Sequence, residues 1–185
     1  MSQSSLTERR LVEHLRLGSR EAFGQIYVRY KGSLCNYCYW LVKEKDRAED
    51  IVHETFLKVW NNIGTLDDSS SFRSWLFTIA RNQALLFLRD RRPFEELTDE
   101  SSSENDDPLH ALISTELSDS ISSLLNALSP AYRELIVLRV YEGLSYAEIA
   151  SVTGLSLSAV RVHLYRARKA LARLYNEQYG DKDDG

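Results

Sequence analysis

Polar and basic side chains near the C-terminal end of the chain recur at the spacing of one helix face. They are Ser158, Arg161, Tyr165, Arg166 and Lys169. Guanidinium, ammonium and hydroxyl groups donate hydrogen bonds to phosphate oxygens and to the base edges exposed in the major groove. This face is therefore predicted to bind nucleic acid, and a solvated face in a helix bundle is the alternative.

A helix-turn-helix over residues 144–169 is predicted to position these side chains. Ser145 and Glu148 form a capping box that starts the first helix, and Gly154 can adopt the left-handed conformation that ends it. Ser156 caps the second helix, whose first turn offers unpaired N–H groups to a phosphate. The apolar residues that would lock the two helices together are Ile149, Ala150, Leu155, Val160 and Leu164. The arrangement is typical of a major-groove reader.

A second helix with two distinct faces is predicted over residues 46–60, opened by a capping box of Asp46 and Glu49. One stripe is apolar and predicts core: Ala48, Val52, Phe56, Val59 and Ile63. The opposite stripe consists of Asp50, Glu54, Leu57 and Asn61. Two carboxylates beside an exposed leucine suit docking onto a basic, partly apolar partner, although an ordinary solvated acidic face would have the same composition.

An irregular loop is predicted over residues 61–71, followed by a long helix over 72–92 that Pro93 ends. The predicted buried side is Phe72, Trp75, Leu76, Ile79, Gln83 and Leu86, and the opposite side is Ser74, Thr78, Arg81, Leu85, Arg89 and Arg92. Arginines about two turns apart could follow a phosphate backbone, and the neighbouring aromatic rings could stack on single-stranded bases. Core packing is the alternative role for those aromatic residues.

Charge divides the chain into two basic parts with an acidic stretch between them. The formal net charge is −4, but residues 96–120 hold eight acidic residues and no lysine or arginine. Helices are predicted over 7–17, after Ser19, after Asp107-Pro108 and after Ser129-Pro130, and strand-like alternation is absent from the sequence. The fold class is therefore predicted to be all-α, with two small helical domains joined by an acidic flexible linker.

Catalytic and cofactor chemistry finds little support in the sequence. Cys35 and Cys38 form a Cys-x-x-Cys pair, but a structural zinc would need two further ligands and the four histidines are scattered. Helical packing is the favoured role for both cysteines, and a redox pair is the alternative. We expect no cofactor, metal or enzymatic activity. Neither a membrane span nor a signal peptide is predicted, so a cytoplasmic location is expected.

Four motifs in order resemble a known family. The segments 48–60 and 72–82, the motif Leu128-Ser-Pro-x-x-Arg133, and the helix-turn-helix through residue 168 are similar to those of bacterial RNA polymerase sigma factors of the extracytoplasmic-function type, group 4 of the sigma-70 family. The resemblance implies a region 2-like domain over residues 1–94, an acidic linker over 95–107, a region 4-like domain over 108–178 and a disordered tail over 179–185.

The resemblance also implies three sets of binding residues. Polymerase would be bound by Glu49, Asp50, Val52, Glu54, Leu57 and Trp60. The minus-ten element would be melted and held by Asn61, Asn62, Phe72, Arg73, Trp75, Arg81, Asn82, Arg89 and Arg92. The minus-thirty-five element would be read by Ser156, Ser158, Arg161, Val162, Tyr165, Arg166 and Lys169. Ala159 stands where the family often has threonine, which removes one hydroxyl contact.

The partners implied by the resemblance are core RNA polymerase, through its largest-subunit coiled coil and its flap, promoter DNA and a sequestering anti-sigma factor. The free protein would be a monomer, and its linker would follow the polymerase's nucleic-acid channel. Two other classes remain open from the residues alone. One is a dimeric repressor that senses a ligand and binds palindromic DNA, and the other is a redox protein that uses Cys35 and Cys38.

Overall fold

Two groups of helices build the chain, one from each half of the sequence. The computed structural model describes the backbone of residues 3–68, 71–95 and 115–180, and the side chains of residues 7–68, 71–91 and 120–180. All regular secondary structure in these ranges is helical, which confirms the predicted fold class. None of the described helices combines the length and apolar character needed to cross a membrane. The predicted linker and the Asp107-Pro108 cap lie outside the described residues.

The first unit contains four α-helices. They are α1 (Gln3–Arg16), α2 (Arg20–Val42), α3 (Lys45–Asn62) and α4 (Phe72–Glu95), with a short 3₁₀ turn at Ile63–Thr65 after α3. Gly18 has a φ of +81° between α1 and α2, a conformation that glycine adopts without strain. The Ser19 hydroxyl then accepts a hydrogen bond of 3.2 Å from the Ala22 amide, which confirms the predicted cap of α2.

Helix α2 lies at the centre of this unit and contacts α1, α3 and α4. Its inward face contributes Ile26, Leu34 and Tyr37, which are fully buried. Phe56 of α3 and Phe77 of α4 are also buried, and the Phe77 ring lies 5.3 Å from that of Tyr37. Each such side chain contributes about 1.5–3 kcal/mol when it leaves water. This core fixes α3 and α4 as a rigid platform.

The start of α3 differs from the prediction. The helix begins at Lys45, and its N-cap is Glu44, whose side chain makes no capping bond. The Asp46–Glu49 capping box is therefore wrong. Glu44 has extended backbone (φ −132°, ψ 122°), its carbonyl accepts from the Ala48 amide at 2.9 Å, and its carboxylate pairs with Arg91 of α4. Helix α3 also continues to Asn62, so the irregular segment starts later than predicted.

The buried side of α4 also differs from the prediction. Leu76, Phe77, Ala80 and Ala84 are buried, whereas Leu86 is 41% exposed. Apolar residues occur on nearly every side of this helix, so their spacing fits more than one face. The small alanines settle the packing because they allow neighbouring helices to approach closely.

Residue Pro93 does not end α4, which continues to Glu95. A proline so close to the end removes only one backbone donor, the one that would reach the Arg89 carbonyl. The helix can therefore complete its last turn, and the predicted boundary was three residues early.

The second unit contains α5 (Thr115–Ala127), α6 (Pro130–Ile136), a five-residue π-helical segment (Val137–Tyr141), α7 (Tyr146–Thr153) and α8 (Leu157–Tyr179). Ser129 and Pro130 open α6 as predicted, although the serine hydroxyl makes no capping bond. In the π segment Val137 and Leu138 are buried, but Val140 is 63% exposed. Val140 continues the apolar pattern of α6 but lies at the surface, because the wider turn moves its side chain outward.

Two arginines connect the elements of the second unit. The Arg133 guanidinium donates hydrogen bonds of 2.9–3.1 Å to the carbonyls of Leu125, Asn126 and Leu128, at the C-terminal end of α5. Arg139 donates to the Leu144 carbonyl at 2.8 Å and lies 5.2 Å from the ring centroid of Tyr146. Together they fix α5 against α6 and hold the turn that leads into α7.

Candidate protein and nucleic-acid interfaces

Local capping interactions set the angle between α7 and α8. The Ser145 hydroxyl accepts from the Glu148 amide at 3.2 Å, and the Glu148 carboxylate accepts from the Ser145 amide at 2.7 Å. Gly154 ends α7 with a φ of +72°, and the Ser156 hydroxyl accepts from the Ala159 amide at 3.1 Å. The predicted capping box, stop and second cap are all confirmed.

The packing between these helices agrees with most of the prediction. Ile149, Val160 and Leu164 are fully buried. Leu155, which was predicted to help lock the helices, is 36% exposed, and Val152 is buried instead. Leu155 follows Gly154 in the turn, where helical spacing no longer determines which way a side chain points.

One side of α8, together with its N-cap Ser156, carries every residue of the predicted minus-thirty-five set. All seven are exposed, and Tyr165 reaches 68% exposure: Ser156, Ser158, Arg161, Val162, Tyr165, Arg166 and Lys169. The Ser156 and Ser158 hydroxyl oxygens lie 3.0 Å apart at the start of the helix. This face presents three cations, an aromatic ring and two hydroxyls, which can contact phosphates and base edges together.

The outer side of α3 forms an acidic surface, which we call the α3 face: Glu49, Asp50, Glu54, Leu57 and Asn61, all exposed. Leu57 is 48% exposed, and Asp50 pairs with Arg47 at 3.3 Å. Two residues predicted to bind polymerase lie elsewhere. Val52 is 2% exposed, and Trp60 is partly buried with its ring 5.2 Å from Phe23. Their side chains support this face from the core side.

The predicted minus-ten residues lie around the end of α3 and along α4. Asn61 and Asn62 are exposed at the end of α3, and the Asn62 amide donates to the Lys58 carbonyl at 2.9 Å. Phe72 is fully buried, so it positions the start of α4 and does not offer its ring to a base. Trp75 is partly exposed, and its ring lies 6.1 Å from that of Phe72.

The polar residues of α4 differ in how accessible they are. Arg73 and Arg81 are half-buried, and Asn82 is exposed. Arg89 is exposed and pairs with Asp90 at 3.2 Å. The side chain of Arg92 lies outside the described residues. The structure thus brings Asn61, Asn62, Arg73 and Trp75 to one end of the unit, while Arg89 lies four turns further along α4.

Two long-range contacts near these surfaces were missed by the sequence analysis. The Lys58 ammonium donates to the Gln83 side-chain oxygen at 2.5 Å and connects α3 to α4. The Tyr30 hydroxyl donates to a Glu8 carboxylate oxygen at 2.5 Å. Burial of Tyr30, together with this bond and the negative charge of Glu8, raises the pKa of Tyr30 far above its ordinary value. No local pattern connects residues 22 or 25 positions apart, so neither contact could be predicted.

The two cysteines lie one turn apart on α2 and are not joined in a disulfide. Cys38 is fully buried, and burial raises the pKa of the partly exposed Cys35 thiol, with a smaller contribution from Glu49. A thiol with a raised pKa is a poor nucleophile at neutral pH. Within the described parts of the chain, no three histidine, cysteine or acidic side chains converge as metal ligands would.

Comparison with known families divides the chain in the same way as the structure. The family described as Sigma-70 region 2 matches residues 26–94, and the family described as Sigma-70, region 4 matches residues 118–171. The first match covers most of α2 and all of α3 and nearly all of α4. The second covers most of α5 and continues through about the first two thirds of α8, including the helix-turn-helix.

Whole proteins similar to this chain are bacterial sigma factors. The chain is 35% identical over 173 residues to the ECF RNA polymerase sigma factor BldN of Streptomyces coelicolor, with 89% of this chain and 64% of BldN covered. It is 30% identical to the ECF RNA polymerase sigma factor SigW of Bacillus subtilis, over 88% of this chain and 93% of SigW. It is 31% identical to the ECF RNA polymerase sigma-E factor of Escherichia coli, over 90% of this chain and 93% of the sigma-E factor.

Two solved structures are similar to this fold. CnrH, in complex with the cytosolic domain of CnrY, superposes with a TM-score of 0.70 at 28% identity, over 92% of this chain and 97% of CnrH. The sigma factor RpoE of Bartonella quintana, in complex with the anti-sigma factor NepR, also gives a TM-score of 0.70 at 28% identity, over 83% of this chain and 96% of RpoE.

Proposed function

Since the chain belongs to the extracytoplasmic-function RNA polymerase sigma factors of the sigma-70 family, we propose that it is a group 4 sigma factor acting in the cytoplasm. It binds core RNA polymerase, recognises and melts specific promoters, and directs the start of transcription. We assign residues 1–94 to polymerase and minus-ten binding, 95–107 to the acidic linker, 108–178 to minus-thirty-five binding and 179–185 to a tail. The polymerase performs the chemistry, so the protein itself needs no cofactor.

The observation that carries this proposal is that one chain presents two surfaces of opposite charge. The α3 face is acidic with an exposed leucine, and the reading face of α8 carries Arg161, Arg166 and Lys169. An acidic, partly apolar face suits a basic protein partner and repels DNA, whereas a cationic helix-turn-helix attracts DNA. A factor that brings an enzyme to a promoter needs both kinds of surface.

Core polymerase is bound by the α3 face in this proposal. Leu57 supplies apolar contact area, while Glu49, Asp50 and Glu54 provide charge complementarity to a basic coiled coil. Val52 and Trp60 are partly or fully covered by core residues, so we assign them a supporting role behind this face.

Promoter DNA is bound at two places in this proposal. The end of the first unit that holds Asn61, Asn62, Arg73 and Trp75 binds the minus-ten element, where Trp75 is exposed enough to stack on a separated base. Arg81, Asn82, Arg89 and Arg92 extend this binding along α4 by contacting phosphates. The α8 face reads the minus-thirty-five element in the major groove.

Regulation by an anti-sigma factor is a further part of the proposal. It is supported by the two similar proteins, CnrH and RpoE, whose structures were solved as complexes with CnrY and with the anti-sigma factor NepR. We infer that the free protein is monomeric and that such a partner competes with polymerase for its surfaces.

Transcription in vitro tests the proposed function directly. The purified chain is mixed with bacterial core polymerase and a pool of genomic promoters, and initiated transcripts are sequenced. Specific initiation that depends on the chain is expected. If no transcripts depend on the chain and no complex with core forms, the proposed function is wrong.

A matched pair of leucine variants tests the α3 face. Leu57→Ala is expected to weaken core binding by about 1–2 kcal/mol, or roughly fivefold to thirtyfold, because an exposed apolar anchor is lost. Leu17→Ala is the control, since Leu17 is 84% exposed near the end of α1 and lies outside the α3 face. Equal affinities of both variants and the unmodified chain in a core-binding titration would show that the docking surface is misassigned.

A further inference from the structure

Helix α1 lies before the segment that matches Sigma-70 region 2, and none of the proposed binding surfaces uses it. It is nevertheless close to the minus-ten end of the first unit. It contacts the Ile63–Thr65 turn, and it supplies Glu8 to Tyr30 of α2.

The contact is a short, charge-assisted hydrogen bond in a largely buried setting. Tyr30 is 6% exposed, and its hydroxyl donates to the Glu8 carboxylate at 2.5 Å. The same carboxylate oxygen lies 3.9 Å from the Arg29 guanidinium. Hydrogen bonds to an ionised acceptor are shorter and stronger than neutral ones, and they hold both partners in a narrow range of geometry. Glu8 therefore fixes the Tyr30 ring from the solvent side.

The Tyr30 ring in turn packs against the first residue of α4. Its centroid lies 5.9 Å from that of Phe72, edge to face, and Phe72 is fully buried. Arg73 follows directly, and its positive charge lies close enough to Tyr30 to act on the ionisation of the hydroxyl. A chain of contacts thus runs from α1 through α2 to the residue that the proposed function assigns to minus-ten DNA.

We propose that Glu8 and Tyr30 are positioning residues for the minus-ten surface: their hydrogen bond fixes the start of α4 and thereby the orientation of Arg73. This inference rests on the proposed function. It gives α1 a role in promoter melting although α1 touches neither polymerase nor DNA in that assignment. The hydrogen bond matters here through its geometry, so a weaker, uncharged acceptor at the same place is expected to retain most of its effect.

Promoter melting by the reconstituted holoenzyme tests the inference. A fluorescent base in the minus-ten element reports strand separation on a promoter selected with the unmodified chain. Tyr30→Phe keeps the ring and removes only the hydroxyl, and Glu8→Ala removes the acceptor. Both are expected to slow melting about threefold to tenfold, the effect of losing one hydrogen bond, while the affinity for core stays unchanged. Glu8→Gln, which keeps an acceptor oxygen, is expected to melt within twofold of the unmodified rate.

Tyr27→Phe is the matched control. Tyr27 lies one turn before Tyr30 on α2, and its ring packs 4.7 Å from Phe56 in the core. Its hydroxyl makes no hydrogen bond to the described residues, so the variant is expected to melt the promoter at the unmodified rate. Thermal unfolding of every variant identifies any that fails to fold, and Tyr30→Phe and Glu8→Gln keep the test valid should Glu8→Ala be unfolded.

A double-mutant cycle separates positioning from general stability. Arg73→Ala alone is expected to slow melting, and adding Tyr30→Phe to it is expected to cause no further loss, because the hydroxyl acts through Arg73. The inference would be overturned if the losses in the double mutant were additive. It would also be overturned if Tyr30→Phe and Glu8→Ala melted the promoter at the unmodified rate, or if Arg73→Ala had no effect on melting. Failure of the unmodified chain to melt any promoter is a different result, since it overturns the proposed function itself.

Discussion

Arg161 lies in the second turn of α8 and is exposed on the reading face. A guanidinium at this position can form two hydrogen bonds to a guanine edge. Arg161→Ala is expected to weaken binding to the cognate minus-thirty-five element by about 1–3 kcal/mol and to relax sequence preference there. Competition binding with single-base variants of the element measures both effects.

The control for this substitution is Arg173→Ala. Arg173 lies three turns further along α8 and pairs with Glu177 at 3.6 Å, so it is outside the proposed reading set. Its loss is expected to leave the sequence preference unchanged. If Arg161→Ala weakened binding to all DNA sequences equally, that result would mean that Arg161 contacts phosphate and does not read a base.

Tyr30 gives a pH dependence with a definite sign. Its pKa is raised in the folded protein by burial and by Glu8, so the folded state holds the proton more tightly than the unfolded chain. The stabilising contribution is fully present below the ordinary tyrosine pKa of 10.0, and it is lost as the pH rises above that value. Urea titrations give the free energy of unfolding at pH 8 and at pH 10.5. This free energy is expected to fall less between the two pH values in Tyr30→Phe than in Tyr27→Phe.

Residue roles on the helix-turn-helix could be predicted because the signals are local. Capping pairs and helical spacing involve neighbours three or four positions apart, and all seven residues predicted on α8 are exposed there. Local signals were not sufficient to assign the roles of Val52 and Phe72. Whether an apolar side chain on a two-faced helix meets a partner or the core depends on helices distant in sequence, and both residues proved to be buried.

Among the elements, α7 depends most on its cap, because eight residues form a short helix with little stability of its own. Ser145→Ala removes the acceptor for the Glu148 amide and is expected to cost about 0.5–2 kcal/mol of unfolding free energy. Ser151→Ala is the control, because Ser151 is an exposed serine inside the same helix. Equal stability of the two variants in urea titrations followed by circular dichroism would mean that the capping box contributes nothing.

Helices α3 and α4 show how tertiary contacts override local signals. Asp46 and Glu49 have the spacing of a capping box, yet the helix starts earlier because Glu44 is held in extended backbone and pairs with Arg91. On α4 the pattern of large apolar residues indicated one face, but the close approach at Ala80 and Ala84 selected another. In both cases the deciding contact is made with a different helix, which the local sequence does not reveal.

At the scale of the whole molecule, each unit has its own buried core, so we expect two separable unfolding transitions. The three tryptophans, Trp40, Trp60 and Trp75, all belong to the first unit, so tryptophan fluorescence reports that unit alone. Circular dichroism reports both. Ser145→Ala is therefore expected to shift only a transition seen by circular dichroism. A matching shift in tryptophan fluorescence would show that the two units unfold together.

The charge distribution explains why a net charge of −4 is compatible with DNA binding. Residues 96–120 hold eight acidic residues and no lysine or arginine, and the α3 face holds three more acidic residues, while the reading face of α8 remains cationic. Local charge determines which surface attracts a polyanion. The order of the two helical units and the acidic stretch along the chain could be predicted, because composition and motifs are read directly from the sequence.

The π-helical segment at Val137–Tyr141 has one residue more per turn than an ordinary helix needs. Removing Val140, whose side chain is mostly in solvent, would let this stretch close as a regular helix and would leave the chain after it in nearly the same orientation, because the π turn holds its extra residue within a single turn. The loss of this one exposed residue would thus allow α8 to keep its packing against α6. The second unit can therefore accommodate a change in chain length at this point.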